Sequence, residues 1–127
     1  MNPVICDTNI FIELFKKNPV VIAELSKIGN PKILMPSISK MELITGMRNK
    51  EDLQQMIAKI KHFNILHLNE ITSVKAIDLI ADFRLSHGLK LPDALIGAMA
   101  LSYDLELFTF NLKDFRYMPN IKLYSFT

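Results

Sequence analysis

Four acidic residues, Asp7, Glu42, Asp93 and Asp114, stand where a fold can gather side chains although they are far apart in sequence. Asp7 directly follows the apolar run Val4-Ile5-Cys6. Glu42 lies in a segment that reads as a helix from Ser37, and Asp93 follows Pro92 at the opening of an apolar helix. Asp114 lies in the loop Thr109-Phe110-Asn111-Leu112-Lys113-Asp114-Phe115, after a strand rich in β-formers. Clustered carboxylates repel one another and persist only where protons or metal ions neutralise them. Oxygen ligands without histidine or cysteine beside them select magnesium or manganese. Carboxylate-held magnesium supports phosphodiester hydrolysis, in which the ion activates water, binds the scissile phosphate and stabilises the leaving oxygen.

Each acid also has a plainer explanation. Asp7 before a helix is an ordinary N-cap. Ser39-Lys40-Met41-Glu42 reads as a capping box, with Glu42 reaching back to a backbone N–H. Against that, Met41, Leu43 and Ile44 make the helix read as largely buried, where a carboxylate needs a partner. Asp93 complements a helix dipole. Its helix, Ala94 to Leu101, has almost no polar face, so it must be buried and must present Asp93 at an edge or cleft. Asp114 fits a polar turn. The four gain weight jointly, since two follow strands and two open helices.

The elements that must position them alternate. Strands are expected at 3–6, 33–35, 65–66, 105–110 and 121–124. Helices are expected at 10–15, 19–28, 37–47, 51–62, 71–87 and 92–103. In the fifth helix, Ile71, Val74, Ile77, Ala81 and Leu85 recur three and four apart as the expected core stripe. Short apolar strands alternating with helices predict an α/β fold with a parallel sheet sandwiched by helices. Such sheets bind ligands at the carboxyl ends of strands, near a topological switch point.

Bulk properties narrow the class. With 127 residues, 50% hydrophobic and 22% charged, the chain is long enough for one well-buried core and too apolar for disorder. Asp7 interrupts the only apolar run near the N-terminus, so no secretory leader is expected there. A single cysteine, Cys6, allows no internal disulfide and suits a reducing compartment. His62, His67 and His87 show no zinc-ligand spacing and read as surface or helix-end residues. If the four acids share one site, nine acids remain against 15 bases elsewhere, a surface that suits a polyanionic substrate.

These segments resemble the PIN-domain family, specifically the VapC-type ribonuclease toxins of bacterial and archaeal toxin–antitoxin pairs. Val4-Ile5-Cys6-Asp7-Thr8-Asn9-Ile10 is similar to the family's opening strand and Asp-Thr-Asn motif. Ser37-Ile38-Ser39-Lys40-Met41-Glu42-Leu43-Ile44-Thr45-Gly46 is similar to its S-x-x-x-x-E-L-x-x-G helix. The stretch Leu91 to Ala100 resembles the helix of the third motif, and Leu107 to Phe115 its closing T-x-N-x-x-D-F signature. The four motifs, in order, cover essentially the whole chain.

The resemblance implies a three-layer α/β/α sandwich on a central, mainly parallel sheet of four to five short strands, as one domain over 1–127. It implies a cytoplasmic, Mg2+-dependent endoribonuclease, with Mn2+ a possible substitute. Asp7 and Asp93 match the firmest metal-binding acids, Glu42 the acid that completes the metal environment or assists proton transfer, and Asp114 a variable fourth position. Some relatives place an acid at the position of Asn111, which competes for that corner. Thr8, Asn9 and Thr109 are candidates to orient the carboxylates. Lys16, Lys17, Arg48, Lys50, Lys90 and Lys113 flank the motifs as candidate phosphate contacts, each also readable as a solvated surface charge. The family implies homodimers and a small antitoxin whose C-terminal segment enters the active-site groove. Met41, Leu43, Met47 and the 53–60 stripe are open to either role, docking face or core.

Two other readings stay open. A phosphatase of the haloacid-dehalogenase-like family would use Asp7 as nucleophile, but expects a second acid where Asn9 stands. A receiver-like or PIN-like module could bind without catalysis, although retention of all four acids counts against a dead scaffold.

Overall fold

The computed structural model describes residues 2–126. Its strands β1 (Val4–Cys6), β2 (Ile33–Pro36), β3 (Asn64–Leu66) and β4 (Glu106–Phe108) form one parallel sheet in the order β3-β2-β1-β4. Side chains alternate across a strand, and that alternation builds the layers. Val4 and Cys6 enter one core and Ile5 the other, as Phe108 and Leu107 do on β4.

The first core is closed by α1 (Thr8–Phe15), α2 (Pro19–Ile28), α3 (Ser37–Thr45) and α4 (Lys50–Ile60), through Ile10, Phe11, Val21, Leu25, Leu43 and Ile60. The second is closed by α5 (Glu70–His87) and α6 (Leu91–Ser102), through Ala76, Leu79, Ile96 and Met99, with Phe115 and Met118 from the chain beyond β4. The three-layer α/β sandwich expected from the sequence is what forms. From β1 the chain steps outward to β2 and β3, then returns to place β4 on β1's other side. The carboxyl end of β1 is therefore the switch point, where ligands bind in open parallel sheets.

α6 is buried nearly all round, as its composition requires. Gly97 makes this possible: a Cβ there would lie 2.5 Å from Met118 Sδ. α5 stops at Gly88, whose φ of 65° is a left-handed cap that other residues resist.

Three expectations need correction. The stripe Ile71, Val74, Ile77, Ala81 and Leu85 faces outward, with Ile71 70% and Leu85 100% exposed. α5 has a second stripe of helical spacing, Thr72, Ala76, Leu79 and Phe83, and it packs this one inward. The small residues Thr72 and Ala76 allow close approach to α6, and Thr72 Oγ1 meets Ser102 Oγ at 2.9 Å. Next, the last expected strand, 121–124, is a single parallel bridge of Leu123 to Leu107, and the strand expected at 105–110 is paired only over Glu106–Phe108. Finally, the capping box at Ser39 does not form. α3 begins at Ser37 with Pro36 as its cap, so Glu42 lies past the first turn and is free to point elsewhere.

Candidate active site

Asp7 is fixed from three directions. Its backbone N–H donates to the carbonyl of Phe108 at 2.9 Å, tying the ends of β1 and β4 together. Its Oδ1 accepts from the N–H of Thr8 at 2.7 Å, as a helix cap does. Its Oδ2 accepts from Thr109 Oγ1 at 2.9 Å. Capping and site placement are therefore one arrangement. The backbone N–H of Asn111 donates to Thr109 Oγ1 at 3.0 Å and orients that hydroxyl.

Glu42 is held by a second relay. Thr8 Oγ1 donates to Glu42 Oε1 at 2.8 Å. Thr8 has one hydroxyl proton, so the 2.7 Å contact between Ser39 and Thr8 must carry the Ser39 proton toward Thr8. Ser39, fully buried, is a site residue that sequence reasoning placed only in a capping box. No local spacing marks its bond to Thr8, which spans 31 positions.

Asp7, Thr8, Asn9, Glu42, Asp93 and Asn111 line one cleft of about 310 Å³. Asp114 ends a single 3-10 turn, Leu112–Asp114, and lines a smaller adjoining cavity of about 70 Å³ with Asp93, Lys90, His87 and Tyr117. Asp93 belongs to both walls. The four acids are thus neighbours, with Asn111 on the main cleft and Asp114 beside it. Of the six candidate phosphate contacts, Lys90 lines the smaller cavity. Lys16 lines an apolar groove of about 340 Å³ that shares Glu42 and Leu43 with the cleft. Lys17, Arg48, Lys50 and Lys113 are exposed and form no part of these walls.

The electrostatics are those of crowded acids. Burial pushes the Asp93 carboxyl up to about 6, helped by Asp7, Asp114 and Glu42 and opposed by Lys90. Burial also raises Asp7, while the bonds from Thr109 and Thr8 pull it down. Among the described residues none of the four acids has a salt bridge. Nor do any three acidic, histidine or cysteine groups among them stand close enough to enclose a metal as they are. Repulsion keeps uncompensated carboxylates apart, and a divalent cation would draw them inward. The three acids of the main cleft offer an all-oxygen donor set that fits such a cation, while His87 stands with Asp93 and Asp114 on the smaller cavity. Both Asp7 oxygens accept one hydrogen bond each, which fixes the orientation of the carboxylate.

A three-layer parallel α/β sandwich with acids at its switch point defines a class of fold and cleft. The chain belongs to the PIN-domain family, whose model matches residues 4–120. It is similar to the protein named Ribonuclease VapC1 of Haemophilus influenzae strain R2866, with 30% identity over 95% of this chain and 96% of the relative. A toxin–antitoxin complex from Klebsiella pneumoniae contains a chain of like structure, with TM-score 0.76, 30% identity and coverage of 97% of this chain and 99% of that one. VapBC-1 from nontypeable Haemophilus influenzae superposes with TM-score 0.78 at 28% identity, over 96% of each chain.

Proposed function

We propose that this chain is a divalent-metal-dependent endoribonuclease and the toxin of a toxin–antitoxin pair. The observation that carries the reading is the convergence of Asp7, Glu42 and Asp93 on one cleft, with no basic side chain among the described residues paired to any of them. Asp7, Asp93 and Glu42 would hold magnesium or manganese, with Asp114 approaching from the side. A cation bound there supplies charge neutralisation at the scissile phosphate and an activated water. Thr109 and the Thr8 backbone hold the Asp7 carboxylate in orientation, and the Thr8 hydroxyl does the same for Glu42. Lys90 offers positive charge beside Asp93 to a phosphate oxygen. Among the described residues Thr8 is the one hydroxyl lining the cleft, and its proton is committed to Glu42, which favours direct hydrolysis by water over a covalent intermediate.

The relatives named as ribonucleases, and those solved in toxin–antitoxin complexes, support the RNA substrate and the antitoxin partner. The apolar groove of Ile12, Phe15, Leu43, Met47 and Met56 opens beside Glu42 and suits an antitoxin segment entering from that side. Met41 lies outside it. The exposed apolar stripe of α5 is a face that a homodimer would cover. No described helix is long and apolar enough to cross a membrane.

The test is cleavage of RNA in magnesium, in excess chelator, and by Asp7→Asn and Asp93→Asn variants shown to be folded. Cleavage by the natural chain alone, lost with chelator, supports the reading. Cleavage that persists undiminished in both variants, or no cleavage in magnesium or manganese, refutes it.

A further inference from the structure

His87 and Tyr117 form a flat stack on the rim of the acidic cleft. Their rings lie 4.0 Å apart between centroids with planes 17° from parallel. Phe83 meets His87 edge-on at 5.6 Å and Tyr117 at 5.0 Å and 60°. Ser86 Oγ lies 2.7 Å from His87 Nδ1 and fixes the rotation of the ring. These contacts join the last turn of α5 to the chain beyond Asp114, which is distant in sequence. Tyr117 and Phe83 pack against the second core, but the stack reaches beyond it, because His87 is exposed and Tyr117 only half-buried. A histidine in the last turn of a helix complements the dipole, but that does not account for a ring ordered by three neighbours while it faces water.

The two rings also wall the small cavity shared by Lys90, Asp93 and Asp114. At about 70 Å³ that cavity cannot take a nucleobase, so a base near it must lie on the rim. Proteins read single-stranded RNA by stacking splayed bases on aromatic and histidine rings. Resting on the ribonuclease reading above, we infer that the His87–Tyr117 stack is a platform for the base of a nucleotide flanking the scissile phosphate. A phosphate positioned at Asp93 and Lys90 sets the neighbouring base over this stack. His87 and Tyr117 are then specificity-determining residues, selecting an unstacked, single-stranded nucleotide at that position.

The experiment first locates the cut in a mixed-sequence RNA, then measures kcat/KM on short oligoribonucleotides around it. In each, one flanking nucleotide in turn is made abasic. His87→Ala should lower kcat/KM on the intact oligonucleotide by roughly 5- to 150-fold, the range that stacking gives per base. On the oligonucleotide abasic at the stacked position, natural chain and variant should be equal. His87→Phe, which keeps a flat ring, should restore the rate, and Tyr117→Ala should repeat the His87→Ala pattern. A loss of equal size on intact and abasic RNA at every position overturns the proposal and makes the stack mere support for Asp93 and Asp114. If the natural chain cuts no RNA, the ribonuclease reading fails first and the platform falls with it. If RNA is cut but the abasic pattern is absent, only the platform falls.

Discussion

Replacing Asp93 with asparagine should make the cation-free protein more stable and, at the same time, deaf to magnesium. The Asp93 carboxyl sits at about 6 against an ordinary 3.8. A raised acid means that the folded state keeps a proton which the unfolded chain releases between those two values. Stability is therefore highest below pH 3.8, falls through the window, and stays reduced above about pH 6. Taken whole, the gap is worth about 3 kcal/mol at neutral pH. The side chain is only half-buried, and solvent screening brings the expected figure down to about 1 kcal/mol. Asparagine keeps the shape and removes the charge, and no hydrogen bond of the Asp93 side chain is lost among those of the described residues. Urea unfolding in chelator at pH 7.5 should show the variant about 1 kcal/mol more stable, or roughly 3–6 °C higher in Tm. At pH 4.5, where more of the carboxyl is protonated in both states, the advantage should be smaller. Magnesium at 100 times its Kd should stabilise the natural chain by about 2.7 kcal/mol and the variant far less. An asparagine variant no more stable than the natural chain in chelator at pH 7.5 would refute the crowded-acid argument. So would a gain that ignores pH.

Further outcomes follow from the hydroxyl relays and the packing of α6. Thr8→Val removes the donor to Glu42 and should cost about 10- to 100-fold in RNA cleavage, with Thr8→Ser recovering most of it. Thr109→Val strips Asp7 of a bond that favours its charged form, so the acidic limb of the pH–rate profile should move to higher pH. An unmoved limb would mean that Asp7 ionisation does not control the rate. Gly97→Ala should destabilise by about 1–3 kcal/mol, because the added carbon meets Met118 Sδ at 2.5 Å. Combined with Met118→Ala, which makes room, it should cost less than the two single changes added, as read by urea unfolding.

Much of the element pattern is local in origin and was open to reading. Pro19, Pro92 and Gly88 punctuate helices through fixed φ or a permitted left-handed turn, and the observed ends fall there or within a residue or so. The all-round apolar helix after Asp93 had to be buried, and it is. Local signals misled where two explanations share one spacing. Ser39 and Glu42 have capping-box spacing, yet α3 starts at Ser37, where the helix was expected, and both side chains turn to Thr8. The two stripes of α5 are equally periodic, and the choice between them came from the close packing that Thr72 and Ala76 permit against α6.

Residue type and position relative to strand ends were enough to single out Asp7, Glu42, Asp93 and Asp114, because a parallel sheet delivers such positions to one edge. By itself, then, the sequence determined the layers, and it singled out the acids for which we propose a hard cation. The tertiary structure decided which wall each acid lines, with Asn111 on the main cleft and Asp114 beside it, and it brought Ser39, His87 and Tyr117 to the site. The reason is physical: strand order and helix packing are set by contacts between residues tens of positions apart, and no local period encodes them.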